Sequence, residues 1–68
     1  MSELVRRGYA QAEFPDGEWY RGYTDLVRED DGSLVVYMHE AETSFSKNKR
    51  ELVIPLRALK YLWWRKEE

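Results

Sequence analysis

Carboxylates and one histidine are the side chains in this sequence that could perform acid–base chemistry. The 13 acidic residues are scattered along the chain, with close pairs at Asp16 and Glu18 and at Asp30 and Asp31, and His39 is the only histidine. General acid–base catalysis needs a carboxyl group whose proton affinity is shifted by burial or by a neighbouring charge. Both pairs fall in polar, glycine-containing turn segments, where water solvates each carboxylate. The sequence therefore predicts no acid–base site.

Nucleophilic and metal-dependent chemistry also lack their usual residues. The chain has no cysteine and a single histidine, which excludes a thiol nucleophile, a disulfide and a histidine-rich metal site. Glu40 and Glu42 stand at alternate positions, but no glycine-bearing calcium loop surrounds them. We therefore expect a protein that is not an enzyme and that holds neither a metal nor another cofactor.

Composition limits the partners further. The chain has 68 residues and a formal net charge of −2, from 11 basic and 13 acidic residues, so it has no overall electrostatic attraction for nucleic acid. No apolar run approaches the roughly 20 residues needed to span a bilayer, and residues 1–7 do not resemble a secretory signal. We expect a single soluble domain, in the cytoplasm, with no membrane partner.

Two turn signals organise the first half of the chain into strands. Asp16-Gly17 follows an alternating run at 4–14, and Asp31-Gly32 follows a second run at 18–28; both dipeptides are typical of β-hairpins. Gly22, inside the second run, indicates a bend or a bulge. The third run, 34–38, is apolar at every position, which favours the central strand of a sheet.

The second half is predicted to be less regular. Residues 39–50 are mostly polar and are predicted as one long loop, either mobile or ligand-binding, with Phe45 as a hydrophobic anchor. A short strand at 51–54 is followed by Pro55, which starts one turn of 3₁₀ or helical structure at 56–59. A last strand at 60–65 is favoured by its aromatic residues. The alternative is a helix over 57–66, since Leu56, Leu59 and Trp63 fit a helical stripe.

Five short strands, an aromatic cluster after the first hairpin and a helical turn before the last strand describe an SH3-like barrel, and the residues resemble a Tudor domain. We therefore expect an all-β, five-stranded antiparallel, SH3-like (Tudor-like) barrel with one short 3₁₀ or helical turn. The resemblance covers most of the chain and is carried by Ala12-Glu13-Phe14, Asp16-Gly17, Trp19-Tyr20-Arg21-Gly22, Leu34-Val35-Val36-Tyr37 and 53–59.

The resemblance implies an aromatic rim that binds ligand. Tudor domains bind methylated arginine or lysine in an aromatic cage through cation–π attraction. Matched to that pattern, Phe14, Tyr20 and Tyr37 would form three walls, beside Trp19. Where the family often has an aromatic residue and an asparagine after the third strand, this chain has residues 39–42. There the carboxylates that would pair with a cationic ligand are those of Glu40 and Glu42.

The same three rings have a second interpretation. In a domain this small, Phe14, Tyr20 and Tyr37 could simply close one end of the hydrophobic core, as aromatic side chains more often do.

A second aromatic cluster lies near the C-terminus. Trp63 and Trp64 point to opposite faces if they lie on a strand, so one fills the core and the other is exposed beside Lys60 and Arg65. The exposed ring could pack against residues 4–5, or it could form an interface with another protein or a second copy of the chain. Stacking beside basic side chains is also the physics of single-strand nucleic-acid binding on small barrels.

These observations predict a non-catalytic interaction module that binds a peptide or a protein through the aromatic rim. Two alternatives remain: a small barrel that binds single-stranded nucleic acid through Lys60, Trp63, Trp64 and Arg65, and a structural protein that self-associates through its C-terminal strand.

Overall fold

Antiparallel pairing connects the strands in the described part of the chain into one sheet. The computed structural model describes residues 2–43 and 46–65. Its elements are β1 (Glu3–Glu13), β2 (Trp19–Arg28), β3 (Leu34–Thr43), β4 (Ser46–Pro55), a 3₁₀ turn (Leu56–Ala58) and β5 (Tyr61–Trp64). The five strands lie in the order β4-β3-β2-β1-β5. The all-β, five-stranded antiparallel prediction and the predicted 3₁₀ turn are thus confirmed.

Short hairpin turns connect β1 to β2 and β2 to β3, as the two dipeptides predict. Gly17 and Gly32 have φ values of 93° and 88°, a region that glycine enters without steric cost. In the second turn, the Asp31 carboxylate accepts hydrogen bonds from the Ser33 backbone N–H at 2.9 Å and from its hydroxyl at 2.6 Å. These two bonds lower the pKa of Asp31, because they favour the ionised carboxylate.

The hydrophobic core lies on one face of the sheet, called the inner face below. Alternate residues of β1 and β3 are buried there, together with Ile54 of β4; the buried apolar residues are Ala10, Ala12, Val36, Met38, Ala41 and Ile54. The small alanines of β1 leave room for the larger side chains of β3 and β4. The buried Thr24 satisfies its hydroxyl by donating to the Gly22 carbonyl at 2.9 Å.

A β-bulge in β3 lies opposite Gly22. Arg21 pairs with Glu42 and Tyr23 pairs with His39, so two residues of β3 oppose the single Gly22. One of the two, Glu40, has a φ of 54°. The predicted bend or bulge at Gly22 is confirmed, and the irregular backbone lies on the neighbouring strand.

Residues 39–50 are not the long loop that their polarity predicts, and that prediction is wrong. β3 continues to Thr43 and β4 begins at Ser46, so the segment forms most of a hairpin. The bulge interrupts the apolar alternation and leaves both His39 and Glu40 exposed. Because of this interruption, the sequence pattern predicts a loop. Phe45 lies outside the described residues.

Of two further predictions about individual strands, that of the central strand is corrected, and that of a last strand in place of a helix is confirmed. β2 is the middle strand, while β3, the predicted central strand, lies between β2 and β4. The alternative, a helix over 57–66, does not form in its described part, 57–65, because β5 pairs with β1 over Ala10–Trp64 to Glu13–Tyr61. Backbone pairing along a free strand edge outweighs the weak helical stripe in this segment.

β4 and β5 are the two edges of the sheet. Within residues 2–43 and 46–65 no ladder joins these two strands, so the sheet is open and a closed barrel is not shown. Over the same residues, no helix is long and apolar enough to cross a membrane.

Candidate functional site

Two of the predicted rim residues face the core. The rings of Phe14 and Tyr20 meet edge to face with centroids 5.9 Å apart, and both pack against the buried cluster of the inner face. Burial raises the pKa of the Tyr20 hydroxyl, and its hydrogen bond to the Glu18 carboxylate at 3.1 Å raises it further. Their geometry is that of rings that close the core.

Tyr37 does not join Phe14 and Tyr20. It lies between buried Val36 and Met38 on β3, so its side chain is on the opposite face of the strand. Tyr37 also pairs with Asp25, toward the opposite end of β2 from Tyr20. The structure therefore does not bring the three predicted cage walls together, since one of them lies on a different face.

The two rim carboxylates are also separated from these rings. Glu42 forms an ion pair with Arg21, with 3.3 Å between Oε1 and Nε. Glu40 is exposed at the bulge. Trp19 stands on the face opposite Tyr20, because the two are neighbours on β2.

Aromatic residues collect instead on the solvent side of β5, β1 and β2, the face opposite the core. We call this region the outer aromatic surface; its rings are Tyr9, Trp19, Tyr23, Tyr61 and Trp63. The strand register aligns the residues of this surface in rows that cross β5, β1 and β2. Tyr61 is opposite Glu13, which is opposite Trp19, while Trp63 is opposite Gln11, which is opposite Arg21.

Three of these rings are strongly exposed. The exposed fraction is 61% for Tyr23, 51% for Trp63 and 46% for Tyr61. Tyr61 and Trp63 lie 5.7 Å apart between centroids, and Tyr9 and Tyr23 are 5.6 Å apart. Leu4 and Val5, predicted as one cover for the exposed tryptophan, lie at the far end of β1 from its partner Gln11 and are themselves exposed. A clustered aromatic patch of this kind is typical of an interaction surface.

Cationic side chains stand beside these rings. The Arg21 guanidinium lies 5.3 Å from the Trp19 ring centroid, and the Arg65 guanidinium lies 5.6 Å from that of Tyr9. The Lys60 ammonium is 5.3 Å from the Tyr61 ring centroid. Among the described carboxylates none is within ion-pair distance of Lys60 or Arg65.

An open groove runs across the surface between β5 and β2. Its volume is about 430 Å³, and Tyr9, Gln11, Arg21, Trp63 and Arg65 contribute to its lining. The groove thus combines flat rings, cationic groups and one amide. Such a lining can stack on a ring, pair with an anion and exchange hydrogen bonds with a polar backbone.

Trp64 belongs to the other face. The position of a Cβ on Gly8 would be 3.7 Å from the Trp64 ring, and the Arg6 guanidinium lies 4.7 Å from the ring centroid. A Cβ on Gly8 would make only an ordinary van der Waals contact with the indole, which packs over β1 on this face. The predicted placement of the two tryptophans on opposite faces is confirmed, with Trp63 as the exposed one.

A charged row crosses the same outer side beyond the aromatic surface. The Arg7 Nε donates to the Asp25 carboxylate at 2.7 Å, and His39 Nε2 lies 3.2 Å from the same carboxylate. The hydrogen bond from Arg7 lowers the pKa of Asp25, partial burial opposes the effect, and His39 lowers it further. Asp25 is thus held as an anion by its neighbours.

Sequence reasoning identified only part of the outer aromatic surface. Lys60, Trp63, Arg65 and Trp19 were predicted as site residues, whereas Tyr9, Gln11 and Tyr23 were not. The available signal was parity, because Tyr9 and Gln11 alternate with the small inner residues of β1. Their alignment with Tyr23 and Trp63 depends on the strand register.

Within the described residues, no cluster of three histidine, cysteine, aspartate or glutamate side chains could hold a metal ion. Comparison with protein-family models, with curated proteins and with solved structures finds no match to this chain.

Proposed function

We propose that this protein is a non-catalytic interaction module that binds a peptide or protein segment through the outer aromatic surface. The observation that carries the proposal is the exposure of Tyr23, Tyr61 and Trp63 on one face of the sheet. Tyrosine, tryptophan and arginine are the residues most enriched at binding hot spots. The two aromatic side chains bury large areas with few rotatable bonds.

The proposed binding surface differs from the aromatic rim that the sequence predicts. Phe14 and Tyr20 already bury much of their area against the core, so little of it remains for a ligand. Tyr61 and Trp63 present their rings to solvent on an edge strand. A partner would therefore gain more apolar burial at the outer aromatic surface than at the rim.

We also propose that the sheet is a variant of the SH3-like barrel with Tudor-like features. In support, β1 pairs with both β2 and the last strand, and a 3₁₀ turn precedes that strand. A cytoplasmic location is part of the proposal and is supported by the absence of cysteine, which suits a reducing compartment.

A displayed random-peptide library tests the binding proposal. The wild-type protein should enrich peptides whose binding is lost in Trp63→Ser and Tyr23→Ser, because each substitution removes an exposed ring. Val53→Ser is the matched control, since Val53 is 64% exposed and lies on β4, away from the surface. Peptides that bind all the variants equally, or a failure to enrich any peptide, would contradict the proposal.

Single-stranded nucleic acid is a second candidate ligand, favoured by one observation. Lys60 and Arg65 flank Trp63 on β5, with no described carboxylate in ion-pair distance of either. Rings for stacking and cations for phosphate are the elements of single-strand binding. A fluorescently labelled oligonucleotide would then bind with an affinity that falls steeply with salt and that requires Trp63.

Self-association through β5 is the third hypothesis. Sedimentation distinguishes it from peptide binding and from nucleic-acid binding. A monomer over the concentration range of the binding assays excludes it. A dimer that Trp63→Ser returns to monomer would make the outer aromatic surface an interface between copies of this chain.

A further inference from the structure

We infer that the groove of the outer aromatic surface binds an acidic, extended peptide segment that places a ring or other flat apolar side chain beside Trp63. The inference rests on the proposed function and specifies the chemistry of the partner. The distribution of charge around the groove supports an acidic ligand.

The β5 side of the groove is positively charged. Arg65 follows β5 directly and lines the groove, while Lys60 directly precedes β5 and lies beyond the lining residues at the other end of the strand. The Arg65 backbone N–H donates to the Tyr9 carbonyl at 2.7 Å, and its guanidinium lies over the Tyr9 ring. The contact with Tyr9 therefore restrains the Arg65 side chain before any ligand arrives, which lowers the entropic cost of binding.

The charges on the β2 side are mutually compensated. Arg21 stacks on Trp19 and pairs with Glu42 of β3. The acidic partner lies beyond Arg21, on the side away from β5. A ligand that crosses the groove therefore meets cations at β5 that pair with no carboxylate among the described residues. On the β2 side it meets an arginine whose outer side is already neutralised. This arrangement is complementary to carboxylates.

A peptide fits this surface better than a phosphodiester chain. The Glu13 carboxylate stands between Tyr61 and Trp19 in the strand register, where it can accept a hydrogen bond from a ligand N–H. A peptide backbone supplies N–H groups that can donate hydrogen bonds to the side-chain oxygens of Glu13 and Gln11. A phosphodiester backbone has no N–H group to donate. The chain's net charge of −2 also opposes a polyanion more than a segment with two or three carboxylates.

Three peptides of matched length test the inference. Each has about eight residues, which span roughly 27 Å when extended, and a central tyrosine flanked by aspartate, by asparagine or by lysine. Affinity is measured from tryptophan fluorescence at low salt. The acidic peptide should bind about tenfold more tightly than the asparagine peptide, since each new charge-assisted hydrogen bond adds to the shared stacking. The lysine peptide should bind more weakly still.

Charge reversal provides the matched variants. Lys60→Glu combined with Arg65→Glu should reverse the preference between the acidic and basic peptides. Arg57→Glu makes the same kind of charge change on the exposed 3₁₀ turn and should leave the preference unchanged. An unchanged melting temperature in each variant shows that the fold is retained.

The outcomes separate the inference from the proposal on which it rests. Equal affinity for the acidic and asparagine peptides, lost in Trp63→Ser, would overturn the inference and leave a peptide-binding surface. No binding of any peptide would overturn both. An oligonucleotide that binds through Trp63 more tightly than the acidic peptide would replace both with nucleic-acid recognition.

Discussion

Gly22 of β2 lies directly against the backbone of Glu40 on β3. A Cβ placed on Gly22 would be 2.9 Å from the His39 carbonyl oxygen and 3.2 Å from the Glu40 carbonyl oxygen. The close approach coincides with the bulge, where Glu40 has a φ of 54°. At this crossing β2 has no room for a side chain at position 22, and β3 carries the bulge at Glu40.

Gly22→Ala is expected to destabilise the protein by about 2 kcal/mol or more, because the new methyl group meets backbone atoms that cannot rotate away. Urea unfolding followed by tryptophan fluorescence measures the change. Gly8→Ala is the control, since a Cβ there meets only the Trp64 ring, at 3.7 Å, an ordinary contact. Equal stability of the two variants would contradict the assigned contact.

Glu40→Gly is expected to stabilise the fold by roughly 0.5–1 kcal/mol. A left-handed backbone costs a side-chain-bearing residue about 1–2 kcal/mol, and the greater flexibility of glycine in the unfolded chain offsets part of the gain. Lys49→Gly, in the extended backbone of β4, should instead destabilise by about 1 kcal/mol. The same unfolding assay measures both, and destabilisation by Glu40→Gly would argue against the bulge.

The adjacent tryptophans should differ in their contribution to stability. Trp64→Ala removes a half-buried ring that packs over Gly8 and is expected to lower the free energy of unfolding by about 2–3 kcal/mol. Trp63→Ala removes an exposed ring and should change it by less than about 0.5 kcal/mol. Thermal unfolding of the pair gives a direct comparison. Similar losses in both would mean that Trp63 packs into the core.

The ion pair between Arg7 and Asp25 should make stability depend on pH. Because the pKa of Asp25 is lowered in the folded state, its contribution is complete above the unfolded pKa of about 4 and is lost as pH falls through the folded value. Arg7→Gln should therefore be less stable than wild type at neutral pH, and the difference should shrink below about pH 4.

Arg28→Gln is the control for that experiment. Arg28 contacts the exposed Glu3 at 3.7 Å, and an exposed pair of this length contributes little. The free energy of unfolding of Arg28→Gln should therefore stay close to that of the wild type across the whole pH range. A difference between wild type and Arg7→Gln that persists unchanged at low pH would show that Arg7 stabilises the fold by packing rather than by charge.

Local patterns predicted the parts of the fold that follow local rules. The turns at Asp16-Gly17 and Asp31-Gly32 and the 3₁₀ turn after Pro55 each depend on neighbouring residues alone. Aromatic composition predicted β5, which also needs its pairing with β1. The 39–50 hairpin was missed because its bulge shifts the alternation by one residue. Non-local pairing of β3 with β2, and of β4 with β3, keeps the described part of that polar segment extended.

The candidate site was harder to predict than the fold. The resemblance grouped Phe14, Tyr20 and Tyr37, but parity within β3 places Tyr37 on the face opposite its buried neighbours. Tyr9 and Tyr23 are distant in sequence and meet only through the register of β1 and β2. A site assembled across strands depends on registers and faces, which a single sequence specifies weakly.

The most direct test of the outer aromatic surface is a two-dimensional amide NMR titration with the aspartate-flanked peptide. The account predicts shifts at the Trp63 and Trp19 indole N–H groups and at the Gln11 and Arg21 amides, with little change at Tyr37. Shifts confined to Phe14, Tyr20 and Tyr37, or no shifts at millimolar peptide, would contradict it.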